Sequence, residues 1–155
     1  MEQLERIASF SVDHTTLRPG MYLSRQDGDV LTWDLRMKTP NAGDYLSTGG
    51  MHALEHLLAT YLRNSSQKEH VIYVGPMGCR TGFYLLTQGL NPAQVLDLTR
   101  WALDKAATHM DAIPGASAVE CGNYQDMDPE NARAEASAML HVLRSWTADD
   151  MHYSA

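Results

Sequence analysis

Two histidines four residues apart, with a glutamate just before the second, read His52-Ala53-Leu54-Glu55-His56 inside the apolar run Met51–Leu62. Each helical residue advances about 100°, so the two imidazoles project from nearly one angle and can share a metal ion. Glu55 falls roughly 60° from His52 on the wheel, where its carboxylate can act as a general base beside a metal without ligating it. Leu54, Leu57, Leu58, Tyr61 and Leu62 take the opposite sector, so this helix offers one face to a core and one to chemistry. A buried helix with two merely hydrogen-bonded histidines fits the same pattern, and the rest of the chain has to decide.

At 155 residues, 44% hydrophobic and 20% charged, the chain is expected to form one domain over 1–155 with a sizeable core. A net charge of −7 without any Lys/Arg cluster argues against a nucleic-acid partner and for a small solute or another protein. The start Met-Glu-Gln-Leu-Glu-Arg has no basic, apolar leader, and no apolar run reaches membrane-spanning length, so a cytoplasmic protein is expected. In that reducing compartment Cys79 and Cys121 are better read as metal-binding or catalytic than as a disulfide.

In chain order, Ile7–His14 reads as a short strand followed by a turn. Met21–Gln26 and Val30–Met37 flank Asp27-Gly28-Asp29, the clearest hairpin signal, because Asp-Gly supplies the positive φ of a tight turn. Thr39–Asp44 breaks regular structure. The central helix then runs from Ser47 or Thr48 to about Asn64. His70–Gly75 and Phe83–Gln88 read as strands joined by the glycine-rich bend that carries Cys79. Asn91-Pro92-Ala93-Gln94 starts a second helix ending near Met110, and Asp128-Pro129 starts a third with its core stripe at Glu135, Met139, Val142, Leu143 and Trp146. Ala118–Tyr124 is a short segment carrying Cys121, and the tail from Thr147 reads as polar and loose. The expected fold is α+β: helices on a largely antiparallel sheet, with the His-x-x-Glu-His motif on the central helix.

His52, His56 and Cys121 would make a three-ligand site with an open fourth position, the arrangement of a catalytic metal. Cys79 is then left over. A buried structural cysteine is one reading; the other notes that Gly75-Pro76-Met77-Gly78-Cys79-Arg80 surrounds the sulfur with amides and a cation that favour a thiolate. His-x-x-Glu-His is also the signature of inverted zinc peptidases, and a non-catalytic metal-binding domain is a third reading. The peptidase ranks second, because no second acidic motif supplies the third ligand.

His52–His56, Gly75–Tyr84 and Glu120-Cys121-Gly122-Asn123-Tyr124, in that order, resemble the S-ribosylhomocysteine lyase (LuxS) family, with likeness from about Ser9 to the last helix. The resemblance implies a lyase that cleaves the thioether of S-ribosylhomocysteine to homocysteine and 4,5-dihydroxy-2,3-pentanedione, the autoinducer-2 precursor, through two carbonyl migrations and an elimination. It implies His52, His56 and Cys121 as ligands of one divalent metal per subunit, Fe2+ by resemblance, with Zn2+ or Co2+ as substitutes. Cys79 is then the base for carbon-bound protons, and Glu55 moves protons among oxygens and takes the last one. Ser9, His14 and Arg36 are implied substrate-binding residues, Arg36 at a carboxylate. The family's homodimer implies that these three complete the other subunit's metal site, so that Arg36→Ala and Cys79→Ala subunits should complement one another. Where the family usually has Thr, this chain has Ala53, a position that is not a ligand.

Overall fold

The computed structural model describes residues 3–154. Four strands, β1 (Gly20–Asp27), β2 (Val30–Arg36), β3 (Val71–Pro76) and β4 (Gly82–Gln88), form one sheet in the order β1-β2-β4-β3, antiparallel throughout. Three helices follow the predicted punctuation: α1 (Thr48–Arg63), α2 (Pro92–Ala107) and α3 (Pro129–Leu143). The side chain of Ser47 caps α1 at Gly50 N–H, and Asn91 and Gln94 close a reciprocal capping box on α2. The β1–β2 hairpin turns on Gly28 at φ 63°, as the Asp-Gly step requires.

Alternation divides the sheet into two faces. Met21, Trp33, Leu35, Phe83 and Leu85 point to the helices and join Leu54, Leu57, Leu58, Val95, Leu103, Met139 and Leu143 in one core. Each such fully buried large side chain contributes about 1.5–3 kcal/mol. Trp33 keeps its indole N–H satisfied there by donating to Thr87 Oγ1 at 2.9 Å. The alternate residues Tyr22, Asp34 and Tyr84 face each other across β1, β2 and β4 on the outer side.

Three expectations are corrected. Ile7–His14 is not a strand: Ala8–Phe10 is a 3₁₀ turn, and Asp13 takes the backbone N–H and hydroxyl of Thr15 into a local turn that competes with extended pairing. In α3 the buried stripe is Ala132, Ala136, Met139 and Leu143, while Glu135 stands beside it and pairs with Lys38 at 3.0 Å. The tail is not loose either. A 3₁₀ turn over Ala148–Asp150 buries Met151, whose carbonyl accepts from Leu23 N–H, and returns Tyr153 to the outer face of the sheet. Among the described residues no helix is long and apolar enough to cross a membrane.

Candidate active site

Helix α1 presents His52 and His56 half-buried, their rings edge to face with centroids 4.9 Å apart. His52 Nδ1 lies 2.8 Å from the carbonyl oxygen of Asp126, and His56 Nδ1 lies 2.8 Å from that of Pro114. A carbonyl oxygen only accepts, so each Nδ1 carries the ring proton and each Nε2 keeps a free lone pair. Gly115, at φ 75°, is what lets the second of these loops approach: a Cβ there would stand 3.0 Å from the His56 ring.

Cys121 comes from the irregular stretch between α2 and α3. Its sulfur lies 3.4 Å from His52 Nε2 and accepts from Asn123 N–H at 3.4 Å. The ligand atoms of His52, His56 and Cys121 all lie within 4.8 Å of one another. Two imidazoles locked in the ligating tautomer and one sulfur with a donor to steady its charge fit a divalent metal one ligand short of four. Glu55 and His56 line a cleft of about 470 Å³ with Arg63, Tyr73 and Glu120.

Cys79 opens elsewhere. It is exposed, in a hollow of about 360 Å³ that it shares with Ser9, Phe10, His14, Arg36 and Tyr84. Its loop is fixed on both sides of the thiol: Arg80 N–H donates to Met77 O, while Arg80 O and Nη1 bond the backbone of Leu46. These bonds hold Arg80 at φ 61°, a conformation that costs an L-residue about 1–2 kcal/mol. His14 donates from Nδ1 to Val12 O at 2.8 Å, which leaves its Nε2 free.

Arg36, which the resemblance implies at a substrate carboxylate, already holds a carboxylate of its own chain. It is 2% exposed, and its fork turns inward, Nη2 to Asp34 Oδ2 at 2.6 Å and Nη1 to Thr81 Oγ1 at 2.9 Å. Among the described residues Nε has no hydrogen-bond partner. Thr81 Oγ1 in turn lies 3.1 Å from Cys79 Sγ. The cause is β2 alternation, which puts Asp34 and Arg36 together on the outer sheet face.

The predicted residues therefore form two groups, His52, Glu55, His56 and Cys121 around α1, and Ser9, His14, Arg36 and Cys79 across the sheet. Cys79 shares its hollow with Arg36 of the same chain, where the resemblance implied that Arg36 would complete the metal site of the other subunit. The sequence placed Asp34 beside Arg36 in a stretch that resembles a substrate-binding one, but gave no role to Pro114, Asp126, Thr81 or Tyr153. Thr81 could have been found from its position two residues from Cys79; the two carbonyls and the tail tyrosine carry no local signal.

The S-Ribosylhomocysteinase (LuxS) family model matches residues 7–150. The chain is 40% identical over 156 residues to a protein of Borrelia garinii subsp. bavariensis named S-ribosylhomocysteine lyase, covering 97% of this chain and 99% of that one. It is 43% identical to the protein of the same name in Clostridium beijerinckii, with the same coverage of both chains. To that of Desulfotalea psychrophila it is 46% identical over 139 residues, 86% of this chain and 87% of the other.

Proposed function

The chain belongs to the S-ribosylhomocysteinase (LuxS) family, and on that premise we propose that it is a metal-dependent carbon–sulfur lyase, cleaving S-ribosylhomocysteine to homocysteine and 4,5-dihydroxy-2,3-pentanedione. The observation that carries this reading is the convergence of His52, His56 and Cys121 with both histidine Nδ1 protons tied to backbone carbonyls. These three residues would hold the metal, which we assign as Fe2+, with Zn2+ or Co2+ able to substitute. When bound, it supplies Lewis-acid stabilisation of charge on substrate oxygens.

The chain's own groups move the protons. The substrate's carbonyl starts at C1 of the ribose and its thioether sits on C5, so the carbonyl must reach C3 before the C4 proton becomes acidic. Each migration takes a proton from one carbon and returns it to the neighbouring one, and the Cys79 thiolate is the base for both. Glu55 exchanges protons among the oxygens and takes the C4 proton, as the C5–S bond breaks and its electron pair leaves on homocysteine sulfur. Ser9 and His14 line the thiol hollow and hold the substrate there, and Arg36 supplies positive charge to its wall. An inverted-motif peptidase would draw its third ligand from a carboxylate, where this chain offers Cys121.

Division of the site supports a homodimer. A two-fold axis that sets the Glu55 cleft of one copy against the Cys79 hollow of the other makes two complete sites. Exposed aromatic side chains stand at both rims, Phe10 at the hollow and Tyr73 at the cleft. Two unpaired cysteines accord with a cytoplasmic setting. The deciding experiment is anaerobic turnover of S-ribosylhomocysteine, following the free thiol of homocysteine. Thiol release that stops on metal removal and returns on reloading is expected. Fully metal-loaded, folded protein that releases no thiol would overturn the assignment.

A further inference from the structure

We propose that Tyr153, from the C-terminal tail, is a positioning residue for the reactive thiol, acting through an unbroken hydrogen-bond chain Tyr153–Asp34–Arg36–Thr81–Cys79. The inference rests on the reading of Cys79 as the base. Tyr153 Oη donates to Asp34 Oδ2 at 2.7 Å, and that same oxygen accepts from Arg36 Nη2 at 2.6 Å. Arg36 Nη1 donates to Thr81 Oγ1 at 2.9 Å, which lies 3.1 Å from Cys79 Sγ. Once the sulfur is a thiolate it can only accept, so the Thr81 hydroxyl must donate to it. Each link then has one direction, and the charges alternate from carboxylate to guanidinium to thiolate.

The weak point of the chain is Asp34. It is 1% exposed, and among the described residues its Oδ1 has no partner, so Oδ2 carries the hydrogen bonds from Tyr153 and Arg36. The phenol is one of two donors to this buried charge among the described residues. Remove it, and among the described residues Arg36 alone donates to the carboxylate, which draws the guanidinium from Thr81 and so from the thiolate that Thr81 steadies. Tyr153 is suited to a permanent donor role, since burial first and the Asp34 charge next push its own ionisation well above the usual range. Its ring stacks on Tyr22 at 5.2 Å, so loss of the hydroxyl alone leaves the packing in place.

The other titratable groups facing Cys79 in its own chain are His14 from the N-terminal turn, Tyr84 from β4, and Arg80 and Tyr45 flanking its loop. Among the described residues none of them shares a hydrogen bond or ring stack with Tyr153, and they are unchanged in the variants compared, as is Glu55 of a second copy set against this hollow. The test is the pH dependence of iodoacetamide alkylation at Cys79 in metal-loaded protein, quantified on the Cys79 peptide by mass spectrometry, for Tyr153→Phe and for Tyr22→Phe. The second variant removes a hydroxyl from the same aromatic stack that bonds Arg18 O and not Asp34. Tyr153→Phe is expected to raise the midpoint by about half a pH unit and to lower kcat about threefold with KM unchanged, while Tyr22→Phe does neither. A Tyr153→Phe midpoint equal to that of the parent, or an equal shift in both variants, overturns the inference. Alkylation needs no substrate, so it decides this point even if the parent releases no thiol, an outcome that would instead remove the lyase reading.

Discussion

Cys79 and Arg36 line the same hollow of the same chain, joined through the single hydroxyl of Thr81. Glu55 belongs to the other cleft. If a complete site takes one cleft and one hollow from different copies, a heterodimer of Cys79→Ala with Glu55→Gln holds one intact site. It should recover about half the activity of the parent dimer. Cys79→Ala mixed with Arg36→Ala should recover nothing, because every hollow is then damaged. Purified tagged heterodimers assayed for thiol release distinguish the two cases, and equal recovery in both would refute the shared arrangement.

The carbonyls of Pro114 and Asp126 fix the ligand tautomers of His56 and His52 from two irregular loops. A metal bound there ties α1 to a stretch with no helix or strand of its own. With free metal at a hundred times its dissociation constant, removing it should cost about 2.7 kcal/mol of stability along with all thiol release. Thermal melting with and without chelator, repeated for His56→Ala, checks this. The variant should melt alike in both.

Thr87→Val preserves shape in the core but leaves the Trp33 indole N–H buried without a partner. A loss of about 1–3 kcal/mol is expected in urea unfolding, with metal content unchanged. A neutral result would mean that the indole finds another acceptor.

Tyr22, Tyr84 and Tyr153 surround Asp34, and burial first, with the Asp34 charge adding to it, raises the ionisation of all three above the ordinary value of 10.0. Below that pH folded and unfolded chains bind these protons equally, so the phenols add no pH dependence. Above it the unfolded chain releases them first, and stability should fall as pH rises, by up to about 1.4 kcal/mol per unit for each phenol. Urea midpoints between pH 9 and 11 test the sign. Tyr153→Phe should flatten the slope by one proton.

Much of this architecture is written locally. The Asp-Gly hairpin, the Asn91 capping box and the His-x-x-Glu-His helix each depend on residues within one turn of each other, and they form where the sequence places them. The grouping of site residues depends instead on which side of the sheet each faces. Asp34 and Arg36 alternate with Trp33 and Leu35, so their common face was implicit in β2, but what covers that face was not. The cover includes Tyr153, an isolated aromatic in a polar tail with no periodicity to announce it. Likewise the tethers of His52 and His56 are backbone oxygens, which any residue could provide.

The pairing of β2 with β4 runs unbroken from Val30↔Gln88 to Arg36↔Gly82, whereas the outer pairs each contain a register shift, at Leu23/Arg25 and at Val71/Tyr73. One residue of slip in the central pair would swing Asp34 and Arg36 into the apolar interior and turn Trp33 and Leu35 outward. A single-codon insertion or deletion in either central strand would thus abolish folding and chemistry together, while the flanking strands can absorb one as a bulge. Among descendants of this gene, length variation should accumulate in the edge strands and spare the middle of the sheet.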